Sequence, residues 1–348
     1  MRSISALKLA AAIGAIALLP ACAGSSQTAT SLVPSSGLAI GAPEERGRGA
    51  GPLSTCNDQR GRRARTAHRH QGKLAITQRY VYVADACGSA IDVLNARSYD
   101  ELGSITSGVN FPDDAFVDPH GDLYVANYSG NNVTEYAPGN WTSPSFTYSA
   151  NMNTPIAVTA DTHGNVYDAN GNGSLTPVIN EYYENRNISI ASCQPISYGF
   201  IFGIAVDSRN DVFVAEFDNT LGSFELLEFV GGLNNCGSRT VLPLPSADLG
   251  DGGIALDKNA NLLIANGGRV EVVDAPSYST INATIGTGFC FAINVHLNRS
   301  NKLAFVTDVS CNTVTVVRYP SGTNVTVLGT GNGLSIPRAA VEQPNAVY

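Results

Sequence analysis

The sequence predicts an all-β fold: a six-bladed β-propeller of four-stranded antiparallel blades, closed by the C-terminal strand. Three observations carry this expectation. One phrase, an apolar run that stops at a small residue and an Asp, Asn or Glu, occurs six times, as in "YVYVAD", "LYVAN", "VYDAN", "VFVAE", "LLIAN" and "LAFVTD". The small residues are Ala84, Ala126, Ala169, Ala215, Ala265 and Thr307, spaced about 42 to 50 residues apart, which is the period of propeller blades. The composition is that of strands and turns, with 35 glycines and 17 prolines punctuating short apolar runs and only 14% charged residues.

Each unit divides by period-two alternation and turn residues. In residues 112–148, Pro112 opens the unit and "DAFV" makes a strand. "DPHGD" turns, "LYVA" makes a second strand, "NYSGNN" turns again, "VTEY" is a third strand and "SFTY" a fourth. The later units open at "PIAVTADTHGN", "GIAVDSRND", "GIALDKNAN" and "FAINVHLNRSN". First and second strands are almost wholly apolar, as expected where both faces are covered by neighbouring blades, and a lone blade could not bury such faces. The first unit has a clear "YVYVAD" but no certain opening strand. Aligning Pro337 with Pro112 places Pro344 on Pro119, so residues 336–343 are expected to supply that strand and fasten the ring. The competing candidate is "LAIT", residues 74–77.

The start of the chain is expected to be an export signal over residues 1–21. Arg2 and Lys8 precede a run of about eleven apolar residues, too short to span a bilayer core of ~30 Å. The run ends in Leu19-Pro20-Ala21-Cys22, which resembles a bacterial lipobox, although Pro20 departs from the usual pattern and leaves an ordinary signal peptide as the alternative. The resemblance implies a lipid-modified Cys22 in the cell envelope. Ala23, rather than aspartate, follows it, which implies the outer membrane in a Gram-negative cell. Residues 22–72 lack apolar periodicity and read as a flexible, partly basic tether, leaving residues 73–348 for the propeller. Residues 80–348 hold 10 basic against 26 acidic side chains, an acidic body that argues against nucleic acid as a partner.

"GIAVDSRNDVFVAE" and "FVDPHGDLYVANYSGNNVTEYAPG" resemble NHL and YVTN-type repeats of exported bacterial propellers. The resemblance covers about residues 80–348, implies the fold, and is neutral on function, because such propellers host binding proteins, lactonases and lyases.

The position after each small residue carries Asp85, Asn127, Asn170, Glu216, Asn266 and Asp308. Asx side chains at a strand end form turns by binding nearby amides, which accounts for the repeat. The functional alternative is a divalent cation such as Ca²⁺ at one mouth of the channel, held by these six with Asp113, Asp114 and Asp251 beside them. Resemblance to gluconolactonase-like propellers implies a possible set of Glu216, Asn170 or Asn266, and Asp308 or Asp85. Glu216 alone departs from Asp or Asn at its position. The lyase-type propellers use histidines. Here His120 and His163 lie in first turns, and His296 reads as a replacement for a turn aspartate. No nucleophile–base pair, phosphate loop or zinc spacing stands out.

After Cys22, six cysteines remain, and an even set in an exported chain suggests disulfides. Position in the repeat suggests Cys290 with Cys311, Cys193 with Cys236, and Cys56 with Cys87, with buried free thiols as the alternative. The functional expectation is a non-catalytic binding or scaffold propeller tethered to the envelope membrane, with a protein or carbohydrate ligand and no cofactor. The alternative is a metal-dependent, lactonase-like hydrolase or lyase.

Overall fold

The structure, a computed structural model, describes residues 79–171, 176–195, 199–245 and 252–343. The expected signal and tether, the "LAIT" segment, Cys22, Cys56 and Asp251 lie outside them. Short apolar runs broken by turn residues produce strands, two short 3₁₀ segments and no α-helix among the described residues.

The first sheet contains β1 (Tyr80–Asp85), β2 (Ala90–Asn95) and β3 (Glu101–Ile105). The second runs β4 (Pro112–Val117), β5 (Leu123–Asn127), β6 (Asn132–Tyr136), β7 (Phe146–Tyr148), and the third β8 (Pro155–Ala160), β9 (Val166–Asn170), β10 (Val178–Tyr182), β11 (Ser189–Cys193). The fourth runs β12 (Gly199–Val206), β13 (Val212–Asp218), β14 (Ser223–Phe229), β15 (Arg239–Val241). Then follow β16 (Ile254–Leu256), β17 (Leu262–Val273), β18 (Ile281–Leu297), β19 (Leu303–Asp308), β20 (Thr313–Arg318), β21 (Asn324–Leu328) and β22 (Pro337–Glu342). Within each sheet, neighbouring strands pair antiparallel. The last strand, β22, takes the place beside β1, with Tyr82 opposite Val341 and Asp85 opposite Pro337. Pro112 and Pro155 stand in the same relation to Asn127 and Asn170, as the proline alignment predicts.

The chain is thus a β-propeller of four-stranded antiparallel blades, but among the described residues the hydrogen-bonded sheets number five, where six separate ones were expected. Four have four strands and one has six, in the order β16 to β21. The reason is local. "NGGR" and "TGFC" connect strands without leaving a residue outside strand geometry, so β17 is 12 residues long and β18 is 17. Within them the pairing changes partner: Ile264 faces Ile254 in β16, whereas Val270 faces Ile285 in β18, and Val295 faces Val306 in β19.

The turns between first and second strands repeat one device. The Oδ1 of Asp118 accepts the amides of His120 and Asp122, and Asp161, Asp207 and Asp257 do the same for the residues two and four positions on. Asn298 takes this role in the last unit, accepting from Lys302 and Leu303. The turn requires a left-handed residue, filled by Gly121, Gly164, Asn210, Ala260 and Asn301. Six apolar clusters lie between neighbouring sheet segments. The cluster joining Val81, Val83 and Leu94 to Phe305, Val314 and Leu328 unites the beginning of the described chain with its end. Each fully buried Val, Leu or Phe contributes about 1.5–3 kcal/mol of transfer free energy, so these contacts hold neighbouring units together.

Candidate functional site: the central channel

The first strands line the channel, and their alignment is fixed by the turns that end them. Counting back from Asp118, Asp161, Asp207, Asp257 and Asn298, one layer of the channel is built by Asp114, Ala157, Gly203, Gly253 and Asn294. Small residues let the backbones approach here. A Cβ on Gly203 would stand 2.8 Å from the Ile254 amide, and one on Gly253 would collide with the Asn294 side chain. Asp114 fills the layer. Its Oδ1 accepts from Asn294 Nδ2 at 2.9 Å and lies 3.1 Å from His296 Nε2, while Oδ2 accepts the Val158 amide at 3.0 Å. One carboxylate thus ties three of the sheet segments together across the axis. Beside it, Arg338 on β22 is 1% exposed, 3.6 Å from Asp113, with its guanidinium 5.8 Å from the Phe111 ring centre. Its partner and the aromatic face compensate the buried charge.

The next layer outward is Phe116, Thr159, Ala205, Ala255 and His296, and it opens into a cavity of about 40 Å³ at the mouth where the first strands end. That volume holds roughly three water molecules. The walls are mostly aliphatic, from Val158, Ile204, Val206 and Leu256, with Asp161, Asp207, Thr162 and Ser208 toward the rim. His296 is therefore not the turn residue expected from the sequence. Asn298 holds the turn, and His296, two positions earlier, is a buried channel residue. The turn of the last unit is one residue longer, six between Leu297 and Ala304 against five between Val117 and Leu123, which shifts the turn position to Asn298.

At the opposite mouth the strand-end residues act mostly as anchors for their own units. Asp85 accepts the amides of Gly88, Ser335 and Ile336. Asn127 accepts that of Asn110, and Asn170 that of Asn153. Asp308 accepts those of Cys290, Phe291 and Cys311. In each case a donor is the segment leading into the first strand, which explains why the position recurs. Asn266 donates to Glu271.

Glu216 is the departure. It is fully buried, and neither carboxyl oxygen has a hydrogen-bond partner among the described residues. Burial first, and then the facing Glu225, push its pKa from 4.5 up to about 8 against the opposing pull of Arg239. Among the described residues, Asp85, Glu216 and Asp308 do not form one group of close ligands. The one such group is Cys290, Asp308 and Cys311, and its two sulfurs are joined in a disulfide.

A second unusual carboxyl is absent from the sequence-based candidates. Asp168 in "VYDAN" is fully buried, where equivalent positions carry Val83, Val125, Val214, Ile264 and Val306. Burial raises its pKa to about 7, although bonds from Asn180, Tyr182 and Asn170 oppose the rise. The repeat alignment holds the signal: a polar residue in an apolar column.

The disulfides join Cys193 to Cys236 and Cys290 to Cys311, the pairs that position in the repeat suggests. Cys87 is also disulfide-bonded. Cys56 lies outside the described residues.

No protein-family model and no curated protein matches this chain. Solved structures do. A nidogen/laminin complex matches with a TM-score of 0.59 at 12% identity, over 76% of this chain and 98% of that one. A protein of unknown function from Bacteroides caccae matches with a TM-score of 0.59 at 11% identity, over 76% and 99%. A functionally unknown protein from Desulfotomaculum acetoxidans DSM 771 matches with a TM-score of 0.57 at 14% identity, over 77% and 99%. At such identities the likeness shows the fold alone.

Proposed function

We propose that the chain is an exported, non-catalytic binding or scaffold propeller, tethered to the bacterial envelope through lipidated Cys22, and that it binds its partner at the mouth above His296. The carrying observation is the division of labour between the two mouths. At one, Asp85, Asn127, Asn170 and Asp308 spend their oxygens on loop amides of their own units. At the other, an aliphatic cavity stands open over a buried polar floor. Convergent polar groups at the base of an apolar concavity are the general form of a recognition site.

We read the ring as six units closed by β22. The six apolar clusters, one between each successive pair, support six units, and the pairing changes within β17 and β18 support two units in the six-stranded sheet. The pairing of β22 with β1 supports closure.

The test has two parts. Cys22→Ser should move the protein from the membrane fraction to the soluble one or block its processing. A photo-crosslinking residue at Ser208 should give a discrete adduct in the native envelope, and Ala255→Leu, which fills the cavity, should abolish it. A wild-type chain that is soluble and carries no lipid overturns the anchor, and an adduct indifferent to Ala255→Leu overturns the binding surface. A metal-dependent hydrolase is the second reading. Glu216 favours it, as a buried carboxyl with no protein partner.

A further inference from the structure

We propose that the cavity above His296 takes the end of a short aliphatic primary ammonium, whether a lysine side chain or a free amine. The inference rests on the reading that this mouth is the binding surface. Asp114 already accepts from Asn294 and Val158, and a carboxylate only accepts, so the proton shared with His296 belongs to Nε2. In the neutral imidazole this makes Nδ1 an acceptor, and Nδ1 has no hydrogen-bond partner among the described residues. Thr159, 4% exposed and lining the same cavity, has a hydroxyl that is likewise unbonded among them. His296 thus offers an acceptor, and the Thr159 hydroxyl can accept or donate, so an entering donor can satisfy both.

Charge selects the donor. No Lys or Arg lines the cavity, whereas Asp161 and Asp207 do, and Asp114 lies beneath it. Arg209 on the rim is divided between Asp207 and Asp211, and Arg338, beside Asp114 in the layer below, lies 3.6 Å from Asp113. The five turns around this mouth carry six carboxylates against four basic side chains. Behind aliphatic walls this excess is poorly screened, which favours a cation over a neutral hydroxyl and excludes a carboxylate. The walls suit a methylene chain, and the volume of about 40 Å³ limits it to a few heavy atoms.

The test is calorimetric titration of the full chain with propylammonium, 1-propanol and propionate. Propylammonium is expected to bind at least tenfold more tightly than either of the others. Thr159→Val should weaken it at least threefold, and Ala255→Leu should abolish it with the melting temperature retained. Nα-acetyl-lysinamide against 1,4-diaminobutane then separates a lysine-bearing partner from a free amine. Equal binding of the three probes, preference for propanol or propionate, or no binding by the wild-type chain overturns the proposal. Should propylammonium fail while the crosslinked adduct still depends on residue 255, the binding surface stands and only its ligand class falls. Should propylammonium bind while the adduct ignores residue 255, the reverse holds.

Discussion

Replacing Glu216 by glutamine is expected to stabilise the fold more as the pH rises. Glu216 is completely buried with both oxygens unbonded, and its pKa stands near 8 in the folded chain against 4.5 ordinarily. The folded chain therefore keeps a proton that the unfolded chain releases above 4.5. The stabilisation from that retained proton is complete below 4.5 and is lost as the pH climbs through about 8. The difference of about 3.5, at ~1.36 kcal/mol each, sets a ceiling of about 5 kcal/mol. Relaxation and water entry around a buried ion lower this to about 1–3 kcal/mol. Glutamine has no proton to lose, so only the wild type carries the slope. Its amide still lacks partners, a cost of about 1–3 kcal/mol that does not vary with pH. The readout is thus the divergence between two curves rather than the sign at one pH. Thermal melts in chelator at pH 4.5, 6.5 and 8.5 should show the variant gaining on the wild type by roughly 2–10 °C across the range. Parallel curves would refute the buried, proton-holding carboxyl. A wild-type melting temperature that rises with Ca²⁺, and a variant that ignores it, would show an ion neutralising Glu216 and bring the metal-dependent hydrolase forward.

Three further outcomes follow from the fold. Ala260 occupies the left-handed turn position at φ 63°, where glycines or asparagines serve the other turns, so Ala260→Gly should stabilise by about 0.5–1 kcal/mol in urea unfolding, and a loss would contradict the turn assignment. Deleting residues 334–348 removes β22, uncovers β1 and leaves buried Asp113 without Arg338. It should cost more than about 5 kcal/mol or prevent folding, and an unchanged melting temperature would sink the closure reading. Reducing the disulfides that close separations of 43 and 21 residues should cost about 4 and about 3 kcal/mol, read as a lowered urea midpoint. Thiol titration of the unreduced, unfolded chain that finds all of these cysteines free would remove the bonds altogether.

The fold was legible because the same local problem recurs. An Asx must end each second strand to hold the lead-in to its own first strand, and an Asp or Asn must open each first turn. Both demands are met by residue types visible in the sequence. The number of hydrogen-bonded sheets was not legible, because it depends on whether "NGGR" and "TGFC" contain a residue outside strand geometry, and glycine permits either. The channel was only partly legible. Its alignment depends on turn length, and the six-residue turn "NRSNKL" in the last unit conceals that His296 belongs to the strand.

What sets this propeller apart from a regular repeat lies in the columns that the repeat fails to fill. Asp114 and Asn294 stand where the other units have Ala157, Gly203, Gly253 and Ala339, and His296 where they have Phe116, Thr159, Ala205, Ala255 and Val341. A repeat needs none of these three for its own turns or strands. Each introduces a polar group into an apolar column, at a desolvation cost of at least ~1–3 kcal/mol when a hydrogen bond is missing. Asp114 and Asn294 recover that cost by bonding to each other and to His296 and Val158 across the axis. His296 recovers only half, at Nε2, and Thr159 beside it recovers none through its hydroxyl. An imidazole fixed at Nε2 by Asp114, on the wall of an aliphatic cavity, is the feature on which the proposed ligand rests. That asymmetry is why we place the proposed ligand at the mouth above His296 rather than at the ring of strand-end residues.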